Sequence, residues 1–137
     1  MLRSSFAAAC LAVGASATPA RGNCPKYDRP ATFDLNKYIG TWYEIRRDAL
    51  NYFELDSACV TANYSLNEDG SVKVYNRSYK PTRGYGDVTG KAVESEVTGP
   101  GSLVVDFFAE PDPSKPGNYN VLDTDYETYA LFYSCEQ

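Results

Sequence analysis

Residues 59–79 read CVTANYSLNEDGSVKVYNRSY, two runs of alternating apolar and polar residues separated by a turn sequence. In the first run Val60, Ala62, Tyr64 and Leu66 share one side, and Thr61, Asn63 and Ser65 share the other. In the second, Val72, Val74 and Asn76 line up against Lys73, Tyr75 and Arg77. Successive side chains of a strand point to opposite faces, so a period of two gives each run one mainly apolar face. The intervening Asn67-Glu68-Asp69-Gly70 ends in the Asp-Gly pair that favours a tight hairpin. The stretch predicts a β-hairpin, and with it an antiparallel fold.

The same grammar extends in both directions. Strand-like runs occupy residues 40–50, 87–97, 102–109, 119–123 and 126–134. PTRGYG (81–86), TGPG (98–101) and EPDPSKPGN (110–118) separate them. Seven short strands at close spacing predict an all-β, antiparallel up-and-down meander, a sandwich or a barrel. In the fifth run Leu103, Val105 and Phe107 alternate with Val104, Asp106 and Phe108. The inward faces are apolar apart from Tyr64, Asn76 and Tyr119. Burying an unpaired amide costs a few kcal/mol, whereas a wet or ligand-filled cavity tolerates it. A pocket is the expectation. Two N-x-[ST] sequons test the strand phase: Asn63 faces outward and should accept a glycan, and Asn76 faces inward and should escape one. The apolar last run, YALFY (129–133), needs neighbours on its edges and cover on its faces.

Residues 1–20, MLRSSFAAACLAVGASATPA, carry one early cation, an apolar stretch and small residues around Ala15-Ser16-Ala17. That is the pattern of a secretory signal peptide, too short to anchor in a bilayer. The remainder, residues 24–137, has the size of one domain. A net charge of −5 argues against nucleic acid or an anionic membrane as partner, leaving at most peripheral membrane contact. The 12 Tyr and 6 Phe favour strands. With no His and no C-x-x-C, a Ser-His-Asp triad, a His base and a zinc site are excluded, and no metal or cofactor is expected. Cys24, Cys59 and Cys135 lie beyond the signal, and an odd count means one bridge and one thiol without a partner.

FDLNKYIGTWYEIRR (33–47) resembles the first signature of the lipocalins, carried here by Gly40 and Trp42, and TDYETYALFYSC (124–135) resembles the second, at Thr124, Asp125 and Tyr126. The Cys24-Pro25 pair, NKYIGTWYEI and CVTANYSL are similar to the subgroup of apolipoprotein D and its insect and bacterial relatives. The resemblance implies a lipocalin β-barrel with Trp42 at its closed base, Gly40 permitting close packing before it, and Asp125 and Tyr126 in a turn beside that base. These are structural roles. It also implies an eighth strand, a basic cover for the indole and a C-terminal helix, which the sequence lacks. The reading is of a truncated lipocalin with about seven of eight strands. In the family pattern Cys24 pairs with Cys135, closing a loop of about 110 residues, and Cys59 is left unpaired.

The resemblance implies a secreted carrier of a small hydrophobic ligand such as a fatty acid or steroid. The inward set Val60, Tyr64, Val74, Asn76, Phe107, Tyr119 and Val121 suits that role: apolar walls remove ligand surface from water and the polar tips hold one polar end. Two other readings compete. Cys59, near the start of the second strand, is a nucleophile toward lipid peroxides in a thiol-dependent enzyme, although it faces outward with no nearby cation to activate it. Alternatively the chain is a fragment that binds nothing, or works as a dimer with its strand edges paired.

Overall fold

The computed structural model describes residues 23–24, 26–47 and 54–135. The expected signal peptide at 1–20 lies outside the described residues. A helical turn, α1 (Leu35–Tyr38), precedes seven strands: β1 (Gly40–Tyr43), β2 (Ala58–Leu66), β3 (Val72–Lys80), β4 (Gly84–Glu94), β5 (Ser102–Asp106), β6 (Tyr119–Thr124) and β7 (Ala130–Ser134). All seven form one antiparallel sheet in sequence order, and it curls into a nearly closed barrel whose edge strands, β1 and β7, are not paired with each other.

Local chemistry sets the corners. In the β2–β3 turn Gly70 has φ 82°, and the Asp69 carboxylate accepts a hydrogen bond from Ser71 N at 3.0 Å. Asp34 caps α1 by accepting from Asn36 N at 3.1 Å. At 98–101 and 125–129 serine and aspartate side chains bind the backbone. Ser95 Oγ accepts from Val97 N and Thr98 N, and Asp125 Oδ1 accepts from the N–H groups of Glu127, Thr128 and Tyr129. These bonds explain why β4 stops at Glu94 rather than 97, and why β7 begins at Ala130 rather than 126. β4 gains length at its other end, where Gly84 and Tyr85 pair with Lys80 and Tyr79. β1 is a strand only to Tyr43, and β5 only to Asp106, each shorter than its sequence pattern.

Register confirms the alternation. Val74 lies between Tyr64 and Gly90, and Asn76 between Ala62 and Val88. Val72, Val74, Ala92 and Leu103 form the buried centre, against which Leu35, Ile39, Tyr64, Val105, Phe107 and Tyr119 pack. Val104, assigned by alternation to the outer face, is buried as well. A bulge between Ala58 and Thr61 places Cys59 at φ 51°, exposed on the outside. The arm before α1 is tied to the end of β7 by the Cys24–Cys135 disulfide. From there Tyr27 packs edge-on against Tyr133, and Phe33 packs against Tyr38 and Tyr126 at the base.

Candidate functional site

An antiparallel meander alternates its connections between two ends. The β2–β3, β4–β5 and β6–β7 turns share the end with α1, and the β1–β2 and β3–β4 connections share the other; the β5–β6 connection runs back toward the α1 end, where Pro113 O accepts from Glu96 N at 2.9 Å and Lys115 O from Ser95 Oγ at 2.7 Å. The first end is shut. Tyr38, carried inward by α1 and only 2% exposed, is the most deeply buried ring there. It stacks on Trp42 at 5.2 Å and on Tyr64 at 5.8 Å, and its carbonyl accepts the indole N–H at 2.9 Å. Trp42 itself is half-buried, so the floor is a tyrosine–tryptophan stack rather than the indole alone. Tyr126 reaches the same end, its hydroxyl accepting a bond from Asp34 N at 3.0 Å.

Tyr64 and Tyr119 are drawn into that floor. The Tyr38 and Tyr119 hydroxyls are 2.8 Å apart, and the Tyr64 hydroxyl donates to that of Tyr119 at 3.4 Å. Tyr119 also stacks on Phe132 at 4.5 Å. Burial pushes all three phenols upward from their ordinary value; for Tyr38 and Tyr64 the bond to Tyr119 opposes the shift only in part, and the neighbouring phenols push Tyr119 further up. The network is therefore neutral across the physiological range.

Above the floor the inner wall is apolar, from Val72, Val74 and Ala92 across to Leu103 and Val121. Phe107 lies just past the end of β5 with its ring over Gly90; a Cβ there would come within 2.6 Å of that ring and 2.7 Å of Asp106 O. Val60 is half-buried next to the bulge. Within this wall the Asn76 carbonyl oxygen Oδ1 is fully buried and has no hydrogen-bond partner among the described residues. Among the described residues the only other such side-chain atom is Ser57 Oγ, in the connection at the open end.

A charged cluster that sequence reasoning missed stands at that open end. The Arg47 guanidinium binds the Glu44 carboxylate and donates to the carbonyls of Glu54 and Ser57 at 2.9 and 2.6 Å. Burial raises the Glu54 carboxyl, and the charge of Glu44 and a hydrogen bond to it add to the effect, against Arg47 and Lys80. The cluster fastens residues 54–57 to the end of β1. Alternation beyond Trp42 would have placed Glu44 inward, but nothing local flagged Glu54. A separate cleft of about 480 Å³ lies between β4 and the β5–β6 connection, bordered by Thr89, Gly90, Phe107 and Phe108.

The structure thus brings Tyr64, Tyr119 and Phe107 against one buried centre with Val74, and it leaves Cys59 outside, away from the inner wall. Asn63 faces outward and donates to Thr41 Oγ1 at 2.7 Å.

A seven-stranded barrel with a closed aromatic floor and an apolar inner wall is the class that fold and site define. The chain belongs to the lipocalin family, since residues 33–136 match the family of lipocalin-like domains. Over 114 residues it is 45% identical to apolipoprotein D of Cavia porcellus, covering 83% of this chain and 58% of that protein. It is 41% identical over 96 residues to the outer membrane lipoprotein Blc of Escherichia coli K12, covering 69% of this chain and 51% of that one. Insecticyanin from the tobacco hornworm Manduca sexta superposes with a TM-score of 0.65 at 25% identity, covering 86% of this chain and 62% of its own. The chain therefore spans less than two thirds of the length of these relatives.

Proposed function

We propose that this protein carries a small hydrophobic molecule, a fatty acid, steroid or similar lipid, in the hollow of its barrel outside the cell. One observation carries the reading: an apolar inner wall holds a buried amide oxygen, on Asn76, that none of the described residues satisfies. An amide in such a place costs free energy until a partner arrives, and a ligand supplies both that partner and apolar surface to bury. On this reading Val60, Tyr64, Val74, Asn76, Phe107, Tyr119 and Val121 surround the ligand, residues 1–20 direct secretion, and residues 24–137 form the binding unit. The Cys24–Cys135 bridge fits an oxidising compartment. Binding without catalysis is favoured over thiol chemistry because Cys59 sits on the outer side of a bulge, not on the inner wall.

Titration of the purified protein with fluorescent fatty-acid and steroid analogues tests this. Saturable binding near one site per chain, displaced by unlabelled competitor, is expected. Absence of saturable binding by a monodisperse, folded protein overturns the proposal.

A further inference from the structure

The barrel wall is notched on one side. β5 pairs with β4 only from Lys91 to Glu94, so from Gly84 to Gly90 β4 has β3 as its one strand neighbour among the described residues. The β5–β6 connection does not cover that free edge, because the chain turns away at once. The Asp106 carboxylate accepts from Phe108 N and Ala109 N, both at 2.8 Å, and these bonds end β5. Further along, Pro113, Lys115 and Gly117 are bonded to Glu96, Ser95 and Thr98 at the closed end of the barrel. On its other side β5 meets β6 only at Ser102 and Leu103, and the Asn118 side chain takes up Val105 N and Val105 O at 2.8 and 2.9 Å. No described strand flanks Phe107.

The Phe107 ring closes the bottom of the notch. It lies on Gly90 and packs against the buried centre that includes Val74, the register partner of Gly90. Only a glycine admits it there: a Cβ at residue 90 would stand 2.6 Å from the ring and 2.7 Å from Asp106 O. Outside the ring is the cleft of about 480 Å³, bordered by Thr89, Lys91 and Phe108 as well as by Gly90 and Phe107, with room for the ring to move into. Inside it, the next inward residue of β3 after Val74 is Asn76, with its unsatisfied amide oxygen.

The segment that carries the ring is lightly fastened. Its side-chain tie to β4 is the Glu110–Lys91 ion pair at 2.8 Å, and the Glu110 side chain is 82% exposed. Such a pair contributes little in water and weakens with salt. Opening the wall between two paired strands breaks ladder bonds, whereas lifting one ring off a glycine breaks none.

We infer that this notch is the ligand's entrance, a gap between β4 and residues 107–110 that opens when the Phe107 ring lifts off Gly90. The inference rests on the carrier reading and adds the route to it: the incoming molecule passes Gly90 and meets Val74 and Asn76 first.

Stopped-flow mixing of the intact protein with a fluorescent fatty-acid analogue, beside an equilibrium titration, tests this. A gate moves association and dissociation together and changes Kd less than either, whereas a simple wall contact moves dissociation and Kd with little effect on association. Gly90→Ala forces the ring off its seat, and overpacking of that kind is worth about fivefold or more, so both rates should rise by at least that factor. Glu110→Gln changes an exposed side chain outside the binding wall; it should raise both rates by up to about fivefold at low salt, and the parent should approach it at high salt. Circular dichroism checks the fold of each, and Glu110→Gln keeps the test decisive should Gly90→Ala not fold. Saturable binding with an association rate that neither variant moves, or variants that change only dissociation and Kd, overturns the entrance and leaves the carrier reading standing. Absence of saturable binding overturns both.

Discussion

Replacing Asn76 with leucine should make the ligand-free protein more stable, the reverse of what most core substitutions do. Asn76 Oδ1 is buried without a partner among the described residues, and its register neighbours are Ala62 and Val88, both apolar. A buried acceptor left unsatisfied costs about 1–3 kcal/mol, and leucine has a similar size and branching with no such penalty. With a urea m-value of about 1–3 kcal/mol per molar, the unfolding midpoint of the ligand-free variant should rise by roughly 1 M. The same change removes a bonding group from the proposed ligand site. Affinity for a steroid or lipid with a polar end should fall roughly two- to tenfold, the worth of one net hydrogen bond, while a purely apolar probe should bind at least as well. Urea unfolding followed by Trp42 fluorescence, with parallel probe titrations, measures both. A leucine variant that is less stable than the parent and binds every probe equally would show that the amide is satisfied within the protein, and the case for a waiting acceptor would fall.

Three further outcomes follow from the geometry. Removing the Cys24–Cys135 bridge, which spans 111 positions, should destabilise the fold by about 5 kcal/mol in the chain-entropy picture, visible as a large drop in urea midpoint; a change below about 1 kcal/mol would contradict it. Tyr38, Tyr64 and Tyr119 have raised pKa values when folded, so their contribution is complete below the ordinary phenol value near 10 and is lost as pH rises toward the folded values; stability should fall progressively as pH rises above about 10, and ionisation of all 12 tyrosines near pH 10 in a still-folded protein would refute it. Glycopeptide mapping of secreted material should find Asn63 occupied and Asn76 bare, because only Asn63 lies on the outer face; the opposite pattern would mean that the register is wrong.

The fold was legible because its determinants are local. The alternation in residues 59–79 and the Asp-Gly turn between the runs define β2 and β3 to within a residue or two, and the same holds for β6. Where strand ends differ from the pattern, a side chain intervened: Ser95 and Asp125 capture backbone N–H groups that the alternation would have assigned to the sheet. The bulge at Cys59 is of the same kind, and no turn residue announces it. The site was less legible. Alternation identified which faces turn inward, but not which inward polar groups would find each other. Tyr38 is separated from Tyr119 by 81 positions, and only the curl of the sheet sets their hydroxyls at 2.8 Å. The Arg47 cluster likewise joins residues on either side of a loop.

That distinction bears on how the site would choose a ligand. Tyr64, Asn76 and Tyr119 look equivalent on the sequence, three polar tips on apolar faces. In the fold Tyr64 and Tyr119 are joined to each other and to Tyr38, so a ligand group that took one of those hydroxyls would compete with a bond already made. Asn76 Oδ1 has nothing to give up. The net gain from a hydrogen bond is about 1 kcal/mol, and larger where it relieves a buried unsatisfied group. Orientation in the barrel would then rest chiefly on Asn76, with the tyrosine floor acting as a rigid aromatic plate that sets depth. A Tyr119→Phe variant breaks both bonds to the floor and leaves Asn76 untouched. It should lower stability more than it lowers affinity, the opposite of Asn76→Leu, and the two variants together separate the floor from the ligand contact.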